Sequence, residues 1–485
     1  MPMSRFRLVP LLLAASALCA CEVGPNYHRP EAPTPQAYKE IAGWTAANPA
    51  ADATDRADWW TIFGDPVLND LEQQVATSNQ SLAAAEAAYR QARALVSEQR
   101  AALWPSFTAN GQATASHSAG GGSVVGAGGA VLGGGTRANI VQDYNVQLGA
   151  TWEPDIWGKV RRGIEGAKAS AQGSAADLVN TRLSAQLELA ADYISLRQLD
   201  QQKRFDDETV KAYADSLEIT RNKYKAGTSA LSDVDAAETQ LHNAKAADID
   251  LGQRRAQMEH AIAILTGRPP AAVTIVATDW TLKPVEIPPG VPSTLLQRRP
   301  DVAAAERQAA SASAQIGVAT AGYYPNITIS ASGGSEAQAI GQLFAPQTFF
   351  WNAGASAAET IFNGGLTHAQ VQSARAGYDQ AVANYRQAVL SAFGQVEDNL
   401  AAQRVLAEEQ PELQGAVNSA DQDLRIVLNE YRAGTVDYTS VVVAQAQDYS
   451  AHNAELALEA SRLTTTVDLL VALGGGWRAD ELANK

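Results

Sequence analysis

The sequence predicts a mainly α-helical, internally duplicated chain that carries four β-strands, two in each half. Three observations lead there. The stretch NKYKAGTS at 222–229 returns as NEYRAGTV at 429–436. Two runs of about 65 residues place apolar side chains at three- and four-residue steps, enough for roughly 100 Å of helix. Four short segments alternate apolar and polar residues with period two, which is a strand signal.

The duplication extends well beyond the opening match. The segment SLAAAEAAYRQARA from Ser81 lies on DVAAAERQAASASA from Asp301, and the same shift puts Trp104-Pro105 on Tyr324-Pro325. Further on, the stripe Leu183, Leu187, Ala190, Ile194 falls on Val389, Phe393, Val396, Leu400. The shift shortens between these anchors, so the first half holds an insertion. The Gly-rich stretch at 116–143 supplies it and reads as a flexible loop.

Each half then has one order: helix, Pro, strand, loop, strand, very long helix, Ala-Gly-Thr, helix. In half one, Phe107, Ala109, Gly111 and Ala113 share a face, as do Val146, Leu148, Ala150 and Trp152. Half two repeats this from Asn326, and with smaller residues from Trp351. Both faces are thin for a soluble core, although a small soluble sandwich remains the alternative. One apolar and one polar face suits a barrel wall between lipid and water. Aromatics at the strand ends (Trp104, Tyr144, Trp152, Trp157, Tyr323, Tyr324, Phe349, Phe350, Trp351) suit interfacial girdles.

The long helices read as 158–224 and 366–431, too long for a globule and packed sideways as coiled coils. Pro411 lies inside the second, where a local kink is expected. Gly227 and Gly434 are the left-handed residues that end each helix, and the residues after them make the turn and the next N-cap.

The ends of the chain set its compartment. Residues 1–20 carry Arg5 and Arg7 ahead of a short apolar run, which reads as a secretory leader. The cleavage region, Leu-Cys-Ala before Cys21, has lipoprotein spacing, so Cys21 is the acylation candidate, carrying palmitate or a similar chain. Cys19 departs with the leader, so the mature chain has no disulfide. Past residue 20 there is no apolar run of helix-spanning length. The charge of −15 argues against nucleic acid, and loss of Arg5 and Arg7 makes it −17. An acidic lumen favouring cations is expected. Four strands cannot close a barrel in lipid, so the barrel is shared among chains.

Six segments carry a resemblance over nearly the whole mature chain. They are CEVGPNYHRPEAP, WWTIFGDPVLNDLEQQV, WEPDIWGKVRR, the run from RRPDVAAAERQ to GYYPNI, ETIFNGGLTHAQVQSARAGYDQAVANYRQAV and LGGGW. Together they resemble the outer membrane factors, the TolC-like, NodT-subgroup lipoproteins of tripartite efflux pumps. The resemblance implies a homotrimer with a twelve-stranded barrel and a long α-helical coiled-coil periplasmic tunnel. It also implies no cofactor, docking to a periplasmic adaptor, and an inner-membrane resistance-nodulation-division transporter. The expected layout is a leader at 1–20, a lipid-anchored Pro-rich segment at 21–63, and repeat one at 64–270. In that repeat the strand pair is 106–157 and the tip 225–233. An equatorial linker at 271–293 leads to repeat two at 294–476, with strand pair 326–362 and tip 432–440, then a tail at 477–485.

In this family the hairpin tips close the periplasmic mouth. Tyr224, Lys225, Asp233, Tyr431, Arg432, Asp437, Tyr438 and Thr439 are the corresponding gate candidates. Some relatives narrow the mouth with a Leu ring followed by an acidic ring. Those positions resemble Thr439 and Val443 here, which leaves Asp437 or Asp233 as substitutes for the acid. Catalysis is not expected: the six histidines are scattered, and no H-E-x-x-H, G-x-S-x-G or P-loop pattern occurs. A type I protein-secretion conduit and a non-conducting trimeric coiled-coil surface lipoprotein remain the alternatives.

Overall fold

A computed structural model of the chain describes residues 22–35, 37–41, 58–118, 139–278 and 298–475. The leader at 1–20, Cys21, most of the 116–143 loop, much of the 271–293 linker and the 477–485 tail lie outside the described residues. The main elements are α1 (Pro66–Ser78), α2 (Gln80–Ala101), β1 (Ser106–Ser118), β2 (Asn139–Trp152), α3 (Lys159–Lys225) and α4 (Leu231–Leu265). Half two supplies α5 (Pro300–Thr320), β3 (Asn326–Ala337), β4 (Phe349–Ala358), α6 (Leu366–Ala433) and α7 (Tyr438–Ala472). Strands β1 and β2 reach three and five residues into the segment read as loop, because SerHis-Ser and Asn-Ile-Val-Gln-Asp continue the pairing. No described helix is long and apolar enough to cross a membrane.

The chain divides into two compact units. The first comprises residues 1–29, 92–170 and 309–380. It holds one antiparallel sheet in the order β1-β2-β3-β4, so the two halves of the repeat meet at the β2–β3 pairing. The register makes the faces continuous. Phe107, Ala150, Ala331 and Ala353 form one row, and Ala109, Leu148, Gly333 and Trp351 the next. The opposite face carries Thr108, Gly149, Ser332 and Asn352, then Gln112, Asn145 and Glu336. Ser332 Oγ donates to Asn352 Oδ1 at 3.0 Å across that polar face. The apolar face is open: Trp351 is 82% exposed and Phe107 80%.

At the foot of this sheet the WEPDIWGKVRR segment makes a junction. Asp155 accepts from the backbone of Val160 and Arg161, both at 2.9 Å, and so caps α3. Trp157 stacks on Tyr324 at 4.8 Å and donates to the Pro325 carbonyl at 2.8 Å. The buried Arg162 guanidinium donates to the Val23 carbonyl and to Asn26 Oδ1, and pairs with Glu22 at 3.5 Å. Gly24 sits in the left-handed region (φ 96°), and a Cβ there would lie 2.5 Å from Gly317 Cα. The residues that follow Cys21 are thereby pinned to the base of the strands.

The second unit comprises residues 30–91, 171–308 and 381–485. Its main core joins Trp59, Trp60, Leu68 and Leu71 to the duplicated stripes, Leu189, Ile194, Val389, Val396 and Leu400 among them. The sequence FGDP builds the entry to α1. Gly64 takes the left-handed turn (φ 66°), Asp65 caps Val67 and Leu68 at 2.8 and 3.1 Å, and Pro66 opens the helix. Asp65 also accepts from Tyr193 at 2.7 Å, and the buried Arg197 donates to that same Tyr193 hydroxyl at 3.0 Å and to Asp200 at 3.0 Å. Arg255 adds a 2.7 Å bond to Asp200. This network ties α1, α3 and α4 at one level.

Pro411, where a kink is expected, lies inside α6, which is helical from Leu366 to Ala433. Pro411 and Ala407 are both exposed, so water can satisfy the carbonyl that the ring leaves unpaired.

Glu72 is fully buried on the core face of α1, and neither carboxylate oxygen meets a hydrogen-bond donor among the described residues. Burial pushes its carboxyl up to about 9. The folded state therefore binds the proton more tightly than the unfolded chain. This contribution to stability is complete below about 4.5, falls as pH rises, and is lost above about 9. Glu72→Gln is expected to match the wild type in thermal melts near pH 5 and to exceed it near about pH 9, since the amide cannot ionise.

Candidate functional site

The candidate site is the pair of hairpin tips in the second unit. Both long helices end in the same hydrogen-bonded motif. Gly227 N–H donates to the Tyr224 carbonyl at 2.9 Å and Thr228 N–H to the Lys223 carbonyl at 2.9 Å. Gly434 and Thr435 repeat this on Tyr431 and Glu430 at 3.1 and 3.0 Å. The glycines take φ of 77° and 82°, as a left-handed C-terminal cap requires. The threonine has a role the spacing did not reveal. Thr228 and Thr435 hydroxyls each donate to the carbonyl that their own N–H already holds, at 3.1 and 3.0 Å. Ala-Gly-Thr thus closes a helix end with one backbone turn and one hydroxyl.

The turns then hand over to capped helices. Asp233 accepts from Ser229 Oγ at 2.6 Å and from Ala230 N–H at 3.2 Å. Asp437 accepts from Ser440 N–H and Oγ at 3.1 and 2.9 Å. Both acids considered as substitutes for a charged ring are engaged at their own helix N-termini. At the positions of the two rings, Thr439 is exposed and Val443 is 51% exposed.

Of the gate candidates, the structure brings Tyr431 and Tyr438 together and buries both. Their rings meet edge-on at 5.4 Å, within a small apolar cluster of Tyr213, Leu217, Val234, Leu241 and Val441. Tyr431 Oη donates to Thr220 Oγ1 at 3.0 Å, and Ser216 Oγ donates to Tyr438 Oη at 3.5 Å. Lys223 lies over the Tyr431 ring at 4.1 Å and donates to the Tyr431 backbone carbonyl. Burial pushes the Tyr438 hydroxyl up, so it stays neutral. These contacts join the first hairpin to the second within one chain.

The other candidates remain outside. Tyr224, Lys225, Arg432, Asp437 and Thr439 are exposed, and Arg432 donates to Asn429 of its own helix at 3.2 Å. Ser216, Thr220 and Lys223 were not singled out from the sequence. The signal was present: 213, 217 and 220 continue the three- and four-residue steps of α3 toward the tip.

The contacts at the tip are individually weak. A buried neutral hydrogen bond contributes about 0.5–1.5 kcal/mol and a cation–π contact about 0.5–1 kcal/mol. Such contacts hold the two hairpins together within the chain. Nothing lies within 4 Å of a Cβ placed on Gly434, so Gly434→Ala meets only backbone strain. That strain is about 1 kcal/mol. Amide exchange of peptides covering 425–440 is expected to rise about fivefold in this variant, with peptides from the sheet unchanged.

The comparisons agree with this architecture. The family described as outer membrane efflux protein matches residues 71–268 and 291–475, one block for each half of the repeat. The toluene efflux pump outer membrane protein TtgC of Pseudomonas putida is 30% identical over 97% of this chain and 96% of its own length. The cation efflux system protein CusC of Escherichia coli is 26% identical over 98% of this chain and its whole length. The solved outer-membrane channel OprN superposes with a TM-score of 0.84 at 27% identity, covering 94% of this chain and all of that one. With both halves of the repeat matched and the relatives covered nearly end to end, the chain belongs to the outer membrane efflux protein family and is an outer-membrane efflux channel component.

Proposed function

We propose that the chain works as a homotrimer whose three sheets close a twelve-stranded barrel. It would receive small toxic molecules, such as drugs, from an inner-membrane resistance-nodulation-division transporter through a periplasmic adaptor. The observation that carries this reading is the sheet. It has an apolar face, a polar face, and outer edges on β1 and β4 that pair with no strand among the described residues. In lipid such edges are tolerated only when they pair. Two further copies supply the pairing in the family this chain belongs to. The apolar row through Phe107, Leu148 and Trp351 then faces lipid, and the row through Gln112, Asn145 and Glu336 faces water. Acylation of Cys21 would add a second hold on the membrane, and the Arg162 clamp ties residues 22–26, which follow it, to the strand base.

The tips act as the gate. Tyr431 and Tyr438 hold the second hairpin against Ser216, Thr220 and Lys223 of the first, and an adaptor that grips the hairpin ends would release them. Cargo selection belongs to the transporter: toluene and cations name the pumps of relatives, and no feature of this chain's tips is specific to either.

Single-channel conductance in planar bilayers tests both parts. The purified lipidated protein is expected to give low, flickering openings. Tyr431→Phe combined with Lys223→Gln removes two tip contacts and is expected to raise open probability roughly tenfold. Arg432→Ala is expected to behave as wild type, since its bond stays within α6. Silence from all three as verified inserted trimers would favour the coiled-coil surface lipoprotein.

A further inference from the structure

The second hairpin holds a polar cluster away from its tip. Asp421 lies on α6, and Asp448 and His452 lie one turn apart on α7. His452 Nε2 stands 3.1 Å from Asp421 Oδ1 and 3.9 Å from Asp448 Oδ1. One ligand atom from each residue falls within 4.8 Å of the others. We propose that these three side chains form a resident binding site for a divalent transition-metal ion of the zinc type, clipping the two arms of the second hairpin together.

Geometry is the first argument. Ligand atoms about 2.0–2.1 Å from a tetrahedral ion lie about 3.3 Å apart, so the observed separations need only small side-chain rotations to close. The donor set is the second. One imidazole nitrogen with two carboxylate oxygens suits zinc, cobalt or nickel, whereas calcium and magnesium take all-oxygen shells. The third, independent argument is the state of Asp448. Its Oδ1 is shielded from water and has no hydrogen-bond partner among the described residues, although it faces His452. A buried carboxylate oxygen without a partner is costly, and a cation at the shared centre removes that cost.

The surroundings hold the ligands in place and leave a route in. Phe205 of α3 lies against the His452 ring at 4.7 Å and stacks on Tyr449 at 5.7 Å, fixing the imidazole from the far side. Asp421 is 47% exposed at its side chain, which leaves an approach for the ion and a fourth position for water. Two carboxylates and a neutral imidazole balance a divalent charge. Asp421 is about 18 Å along α6 from the Ala433 end, so the clip would fix the register of the arms that carry the tip.

The test uses untagged, chelator-stripped protein in detergent, with zinc chloride and cobalt chloride as probes. One zinc per chain is expected by calorimetry, with a rise in Tm. Cobalt is expected to show visible d–d absorption above that of the free aqua ion. His452→Ala and Asp448→Asn should each weaken binding tenfold or more and abolish the cobalt band. Both variants are checked for folding by circular dichroism. His242→Ala, an exposed histidine on α4, should bind as wild type. Zinc binding of equal strength in wild type and both cluster variants would overturn the proposal, as would a cobalt spectrum no different from the aqua ion.

Discussion

The outer edges of β1 and β4, which pair with no strand among the described residues, are the constraint on which the rest of the structure depends. A strand edge presents a row of N–H and C=O groups, and hydrocarbon offers them nothing to bond. The sheet of one chain therefore has no stable place in a membrane by itself. Its apolar face is equally unsatisfied, since Phe107 and Trp351 are bare in the single chain. Closure by further copies resolves both deficits together. It also explains why each half of the repeat needs only two strands: the barrel is completed by number of chains rather than by length of chain.

Rigidity and softness are distributed along the chain accordingly. At the strand base, Asp155 and Trp157 bond to backbone groups, and Arg162 divides its donors between the N-terminal segment and Glu165 of its own helix. In the second unit, Arg197 and Asp200 are buried as a pair, and Tyr193, Asp65 and Arg255 complete the network. Removing one member of such a network leaves a buried charge, at a cost of about 3–5 kcal/mol. The tip has nothing comparable. Its contacts are hydroxyl bonds, one lysine that lies over the Tyr431 ring and bonds to its carbonyl, and a handful of apolar side chains. On the proposed gating, a partner that offers a few kcal/mol would open the tip without disturbing the level at which α1, α3 and α4 are tied.

Much of this was legible because local chemistry dictates it. Gly227 and Gly434 could be placed at left-handed turns since few other residues adopt that backbone cheaply. The strand faces could be read because period two has no competing interpretation over eight residues, and the register confirms them row by row. The buried network was not legible. Asp65 and Tyr193, or Asp200 and Arg255, are brought together only by packing, and nothing in their own neighbourhoods announces it. At Pro411, where a local kink is expected, α6 stays continuous, and the exposed face lets water satisfy the carbonyl left without a donor. Asp233 and Asp437 were legible as acids near a tip, yet Asp233 in the first turn of α4 and Asp437 at the N-cap of α7 are suited to capping more than to lining a pore.

The two tips show where local sequence stops deciding. NKYKAGT and NEYRAGT fold into the same cap, bond for bond. Their tyrosines nevertheless have opposite fates: Tyr224 is 45% exposed and Tyr431 is 3% exposed. The difference lies in what stands opposite. Tyr431 meets Thr220 and Lys223 of the first hairpin, which can accept its proton and cover its ring, whereas Tyr224 remains half in solvent. Duplication therefore produced two equivalent turns, but only one of these two tyrosines is buried between the hairpins. The asymmetry is what lets a pair of like hairpins lock, because a latch needs a bolt on one side and a seat on the other.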